Sequence, residues 1–250
     1  MTESAPVYEA ECRDGVLRIS RPDTEWLSTG WNGGRTVADC AYNISVPKGW
    51  NCDDLAPYVE RRLGEAGYSQ GEAPVLLTGV DLEHARGAYH GSVSVYATAG
   101  VSNPAALPMK PNREHDLGRL ESASSGQSDT TAPPGTVNLV VGTTRALEAG
   151  ALENLLAVAA EAKAATLLAR TGFPGTTTDA IVVGHDPAGQ SRPFSGSATD
   201  VGAATRACVR EAVTAALTSR YETTDAVVPE TVSAATYGVS TVARASVFRL

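Results

Sequence analysis

Between Pro134 and Tyr221 the chain alternates two apolar strands with two long alanine-rich helices, an order that leaves few folds open. Thr136–Val141 is an apolar run that reads as a strand. Thr144 is a candidate N-cap for a helix through Arg170, interrupted at Gly150, and Gly172 and Pro174 stop it. Asp179–Val183 is the next strand. A second helix runs from Thr199 to about Arg220, with Val201, Val209, Val213, Ala216 and Leu217 as its apolar positions. Strands alternating with helices predict an α/β (or α+β) layered sandwich: a mixed β-sheet with the alanine-rich helices packed on it.

The N-terminal part adds strands. Val16–Ser20 and Glu25–Thr29 read as short ones, and Arg35–Val46 alternates as a longer one ended by Pro47 and Gly49. Asp53 and Asp54 open a helix to about Ala66, where the acidic first turn suits the helix dipole. Pro74–Thr78 and Gly91–Thr98 are further strands, Asp81–Ala85 is one helical turn, and Thr236–Phe248 is expected to close the sheet. Residues 107–134 are rich in Pro, Ser, Asp and Gly and lack hydrophobic periodicity. The expectation is a single domain, 1–250, carrying a flexible polar insert, more a tolerated surface insertion than a lid.

Composition excludes several function classes. The formal charge is −8 and only three lysines occur, Lys48, Lys110 and Lys163. Phosphate neutralisation needs clustered Lys and Arg, so neither nucleic acid nor an anionic membrane surface is an expected partner. The acidic balance fits a solvated surface or salt adaptation. No apolar run approaches the ~18 residues of a membrane span, and MTESAPVYEAECRDG lacks the apolar stretch of a signal peptide, so a cytoplasmic location is expected. Cys12, Cys40, Cys52 and Cys208 form no C-x-x-C pair and read as reduced core thiols. His84, His90, His115 and His185 show no zinc spacing, so no metal site is expected, nor any required cofactor. There is no phosphate loop and no G-x-S-x-G elbow.

Three polar clusters remain. On the helix ending at Arg170, Asn154 and Glu161 lie within about 20° of one another at 100° per residue. Glu153 flanks them, and Ala157, Ala160 and Ala164 lie between. Such a stripe either admits a large ligand or is a solvated face. Lys163 points elsewhere, near Leu152 and Leu156, as a snorkelling lysine or a specific ligand, and does not naturally pair with Glu161. Gly175-Thr176-Thr177-Thr178-Asp179 offers three hydroxyls and a carboxylate, to a ligand or to its own turn. It is the expected partner of the Glu161 face. Asn32-Gly33-Gly34 is either an ordinary β-turn or a set of backbone N–H donors for an oxyanion or amide.

Four blocks together resemble the archaeal-type adenosylcobinamide amidohydrolase family. They are Leu27–Arg35 followed by Asn43-Ile44-Ser45-Val46-Pro47; Leu76–Asp81 followed by Thr98–Pro104; Gly135-Thr136-Val137-Asn138 with Glu161-Ala162-Lys163 and Gly175–Ala180; and Phe194–Gly202. They span roughly Leu27 to Arg220. The resemblance implies a corrinoid as substrate rather than cofactor. The aminopropanol amide of adenosylcobinamide would be hydrolysed to adenosylcobyric acid, in corrinoid salvage toward coenzyme B12.

Amide hydrolysis needs an activated nucleophile, oxyanion donors and a proton for the leaving amine. On that chemistry the catalytic candidates are Glu161 as general base, Lys163 or Asp179 as proton donor or orienting group, and Thr177 within Thr176–Thr178 as an alternative nucleophile. The substrate-binding candidates are Asn32, Gly33, Gly34, Asn43, Asn138, Asn154, Thr176 and Thr178. Two other readings stay open: a non-catalytic corrinoid-binding module, and an amidase acting on another small amide. The sequence also allows a homo-oligomer.

Overall fold

A computed structural model describes residues 5–47, 50–69, 71–110 and 135–250. The expected insert lies outside the described residues from 111 to 134; Leu107 and Met109, just before it, are exposed. The strands are β1 (Glu9–Arg13), β2 (Val16–Ser28), β3 (Gly34–Ser45), β4 (Val75–Thr78), β5 (Arg86–His90), β6 (Val93–Ala99), β7 (Ala105–Ala106), β8 (Val137–Leu147), β9 (Ala180–Arg192) and β10 (Val239–Ser240). The helices are α1 (Leu55–Glu65), α2 (Ala151–Thr171) and α3 (Asp200–Thr223). The main sheet runs β4-β3-β2-β9-β8-β6-β5, with β1 on β2. Its β3/β4 and β8/β9 pairs are parallel and the others antiparallel.

Period-two alternation sorts the side chains into layers. Leu139, Val141, Ile181 and Val183 pack with α2 and α3 in the largest core. The intervening Val140 and Val182 point the other way, against Leu17, Ile19, Ala41 and Leu76. Cys40, Tyr42 and Ile44 of β3 face α1 through Val59 and Leu63. The sheet is therefore folded over on itself. From one side to the other, the layers are α2/α3, then β5, β6, β8 and β9, then β2–β4, then α1. This is the expected layered sandwich.

β2 joins the two halves. Val16–Ser20 pair with the end of β3, and Glu25–Ser28 pair with both the start of β3 and β9. The register shifts between Ser20 and Thr24, and Asp23 sits there at φ +54°. The two short strands expected here are thus one strand with a bulge, which lets it turn from one layer into the other. At the crossing, Tyr8 and Trp26 pack edge to face with centroids 5.6 Å apart. Gly142 and Gly184 sit opposite one another on β8 and β9 and leave room for the rings. A Cβ at either would lie 2.4 Å from an aromatic carbon.

Two further expectations are corrected. Thr144 does not cap a helix: β8 continues through Leu147, with Arg145–Leu147 paired to Gln190–Arg192, and α2 begins only after Gly150 at φ +83°. Thr236–Phe248 does not close the sheet. Among the described residues only Val239–Ser240 pair, with β7, and Val247 and Phe248 are exposed. β1 and β5 are strands that the sequence pattern did not announce. The cysteines divide: Cys40 and Cys208 are buried free thiols as expected, Cys52 is half-buried, and Cys12 is exposed on the outward strand β1.

Candidate functional site

Asn43, Thr78, Thr98 and Asn138 have the strand parity that aims them between the sheets, among apolar neighbours, and all are buried. They satisfy one another there. Asn138 Nδ2 donates to Asn43 Oδ1 at 3.0 Å and to the Leu77 carbonyl at 2.9 Å. Asn43 Nδ2 donates to Thr98 Oγ1 at 3.1 Å. Thr78 Oγ1 accepts from the backbone N–H of Val80 at 3.1 Å, bending the chain after β4. Among the described residues Asn138 Oδ1 has no hydrogen-bond partner, nor has Asn103 Oδ1. A buried amide network of this kind fixes the relative position of four strand ends.

Behind it, Asp179 ties three loops together. Its Oδ1 accepts from the Val137 N–H at 2.9 Å and from Thr176 Oγ1 at 2.5 Å. Its Oδ2 accepts from the Thr176 N–H at 3.1 Å and from Lys163 Nζ at 2.5 Å. Four donors fill the acceptor positions of one carboxylate, which leaves Asp179 no lone pair for a water or a substrate. Thr177 Oγ1 accepts from Asn103 Nδ2 at 2.5 Å, and Thr178 Oγ1 donates to the Gly135 carbonyl at 3.2 Å. Of the three hydroxyls, only Thr176 donates to a carboxylate. Lys163 belongs to the buried stripe of α2 with Leu152, Leu155, Ala159 and Ala162.

Ser45 and Gly79, two and one positions beyond Asn43 and Thr78 of this network, line a cleft of about 930 Å3. That is near the top of the roughly 300–1,000 Å3 range of small-molecule sites. The residues leaving parallel strands β3 and β4 line it: Ser45, Val46 and Pro47 from one, Gly79 and Asp81 from the other. Ser102 comes from the loop after β6, Tyr58, Arg61 and Arg62 from α1, and Arg220 from the end of α3. The carboxyl ends of parallel strands are where open α/β sheets bind ligands. Three stretches singled out in the sequence, 43–47, 76–81 and 98–104, therefore converge on one cavity.

The other candidates lie elsewhere. Asn32, Gly33 and Gly34 line a separate pocket of about 220 Å3 with Gly71–Pro74, where β3 and β4 begin rather than end. Asn32 holds φ +52°, a strained turn conformation that Asn tolerates. Glu161 is exposed on the outer side of α2, its Oε1 2.8 Å from Arg206 Nη1 on α3. Asn154 accepts from Ser195 Oγ at 3.1 Å. Glu153 binds Arg35, whose hydrogen bond holds the Glu153 carboxyl below its ordinary value. The expected meeting of the Glu161 face with the Gly175–Asp179 turn does not occur. Lys163, two residues on and about 200° further round the helix, makes that contact through Asp179. Glu161 is thus not assembled with Asn138 or with the Asn32–Gly34 turn.

Sequence reasoning does not single out Asp81 and Arg220, two of the charged residues lining the cleft. In sequence Asp81 opens one helical turn, and nothing in its neighbourhood points to Arg220.

The sequence model of the adenosylcobinamide amidohydrolase family matches residues 1–225. A relative from Halobacterium salinarum carrying the name adenosylcobinamide amidohydrolase is 58% identical over 244 residues, 97% of this chain and 100% of that one. A protein of the same name from Methanosarcina mazei is 27% identical over 214 residues, 82% of this chain and 95% of its own.

Proposed function

The chain belongs to the adenosylcobinamide amidohydrolase family and is a hydrolase acting on an amide bond; from that premise we propose that it cuts the aminopropanol amide of adenosylcobinamide. The products are adenosylcobyric acid and aminopropanol, and the reaction returns scavenged corrinoid to coenzyme B12 synthesis in the cytoplasm. The corrinoid is the substrate, and the reaction formally needs only water.

The observation that carries this reading is the cleft at the ends of β3 and β4. It has the volume for a bulky ligand, and three of the family's sequence blocks supply its wall. Within this reading Asn43 and Asn138 act beneath the wall, as the rigid support on which Ser45 and Gly79 are displayed. Lys163, Asp179, Thr176, Thr177 and Thr178 hold the loops from β6, β8 and α2 in register behind them. The pocket at Asn32–Gly34 and the Glu161–Asn154 face lie apart from the reacting amide. A preorganised frame of this type lets few polar groups act on the substrate without reorganising.

The test is direct. Purified protein is incubated with adenosylcobinamide, and the mixture is analysed by mass spectrometry for adenosylcobyric acid and free aminopropanol. Stoichiometric appearance of both is expected. Tight corrinoid binding with no released aminopropanol would make the chain a binding module instead.

A further inference from the structure

Most charged groups of the cleft are already engaged. Arg62 donates to the carbonyls of Ser45 and Asp14 at 2.8 Å each. Arg61 pairs with Glu65 at 2.7 Å. His84 is buried with Nδ1 3.2 Å from Ser219 Oγ and Nε2 3.4 Å from Glu83. Asp81 and Arg220 are different. Asp81 opens the short 3-10 turn after β4, yet its carboxylate makes no capping bond. Among the described residues it has neither a hydrogen bond nor an ion pair. Arg220 likewise has no ion pair, and its buried Nε has no hydrogen-bond partner; its guanidinium carbon lies 5.9 Å from the Tyr221 ring.

Asp81 is exposed and Arg220 half-buried, and although both line one cavity they are not paired with each other. Here the fold keeps them apart. Gly100 provides the seat for Arg220: a Cβ there would lie 3.2 Å from the guanidinium carbon and 2.9 Å from Val80 Cγ2. Asp81 is anchored through its backbone, with its carbonyl accepting from the His84 N–H at 3.0 Å, two links from the bend that Thr78 fixes. The result is an unpaired carboxylate and an unpaired cation lining one cleft, beside the strand ends.

Building on the reading above, we infer that Asp81 and Arg220 are the catalytic residues: the general base on water and the stabiliser of the oxyanion. Asp81 takes a proton from water as the water oxygen bonds to the amide carbon. The carbonyl π electrons move onto oxygen, where Arg220 N–H groups meet the new negative charge. When the intermediate collapses, the C–N bond breaks and Asp81 returns its proton to the departing nitrogen. The hydroxyl proton of the new acid passes to the amine, so the products are a carboxylate and an ammonium. Atoms and charge balance with water alone. Arg220 also suits the product, since guanidinium recognises carboxylate through two parallel hydrogen bonds.

The experiment is single-turnover cleavage of adenosylcobinamide by wild type, Asp81→Asn, Asp81→Ala, Arg220→Lys and Arg220→Met, with corrinoid binding followed by tryptophan quenching. Asp81→Asn is expected to lose about 10²–10⁴-fold in rate, and Arg220→Met about 10²–10³-fold. Arg220→Lys should recover part of that, and corrinoid affinity should change far less than the rate. Formate added to Asp81→Ala should restore cleavage, a rescue that a purely structural role would not give. Asp225, the other carboxylate of the cleft with no ion pair among the described residues, lies beyond the end of α3. A wild type that cleaves, with Asp81→Asn within threefold of it or with Asp225→Asn losing the rate instead, overturns this assignment alone. A wild type that binds and does not cleave overturns the assignment and the function together.

Discussion

Lys163 Nζ lies 2.5 Å from Asp179 Oδ2, and both side chains are only 10% exposed. The pair links the middle of α2 to the loop entering β9. Removing one partner strands a charge inside the protein, which costs about 3–5 kcal/mol, whereas removing both is often tolerated. Lys163→Met and Asp179→Asn are each expected to lower the urea midpoint strongly. The double substitution should recover part of the loss. Chemical denaturation of the four proteins checks this; equal and additive losses would show that the pair is uncoupled.

Glu161 is expected to matter little. Its side chain is 63% exposed and faces Arg206 across α2 and α3. Exposed pairs of this kind contribute about 0–1 kcal/mol. Glu161→Gln should keep kcat within about twofold of wild type, because nothing connects the residue to the cleft. A steady-state assay decides the matter, and a loss of a hundredfold would return Glu161 to the role of base.

Stability should fall on mild acidification through His185. The ring is buried, and its Nδ1 accepts from the Leu147 N–H at 2.9 Å. Burial pushes the imidazole below its ordinary value of 6.5, opposed by Glu25 alongside. The neutral form is therefore favoured in the native state. Below pH 6.5 the unfolded chain binds a proton that the native chain resists. The contribution is present above that pH and drains away as pH falls toward the native value. His185→Gln keeps an acceptor and cannot titrate, so its denaturation midpoint should vary less between pH 7 and 5.

The aromatic crossing gives a packing prediction. Gly184→Val would drive methyl groups into the Trp26 ring, since even a Cβ would come within 2.4 Å of it. Overpacking of a well-filled core costs about 1–3 kcal/mol. The melting temperature should drop by several degrees, and Trp26→Leu in the same chain should restore part of it. A Gly184→Val protein as stable as wild type would mean that the crossing is loosely packed.

The layers were legible because apolar periodicity is a local property: α1, α3, β3 and β6 stand close to where alternation and helical spacing put them. The errors share a cause. Residues Arg145–Leu147 fit a helix or a strand equally well, and pairing with β9 decides between them. Thr236–Phe248 alternates convincingly, but among the described residues only Val239–Ser240 pair with another strand. At the site, the wheel separated Lys163 from Glu161 correctly. It could not say which side of α2 meets the core, because alanines line both sides. Asp81 and Arg220 have nothing in sequence to associate them. Only the packing of α3 against β6 and the turn after β4 brings both to one cavity.

The double membership of β2 has a consequence for how the protein is made. Its tip bonds to Ile181 through Thr29, 152 residues away along the chain. On a ribosome adding roughly 5–20 residues per second, the hairpin of β2 and β3 exists for many seconds before β9 has been synthesised. During that time Leu17, Ile19 and Trp26 lack Val140 and Val182, which join them in the finished core. The core between the sheets can close only late in synthesis, so nascent chains must pass through a stage with an uncovered apolar face, open to chaperone or neighbour.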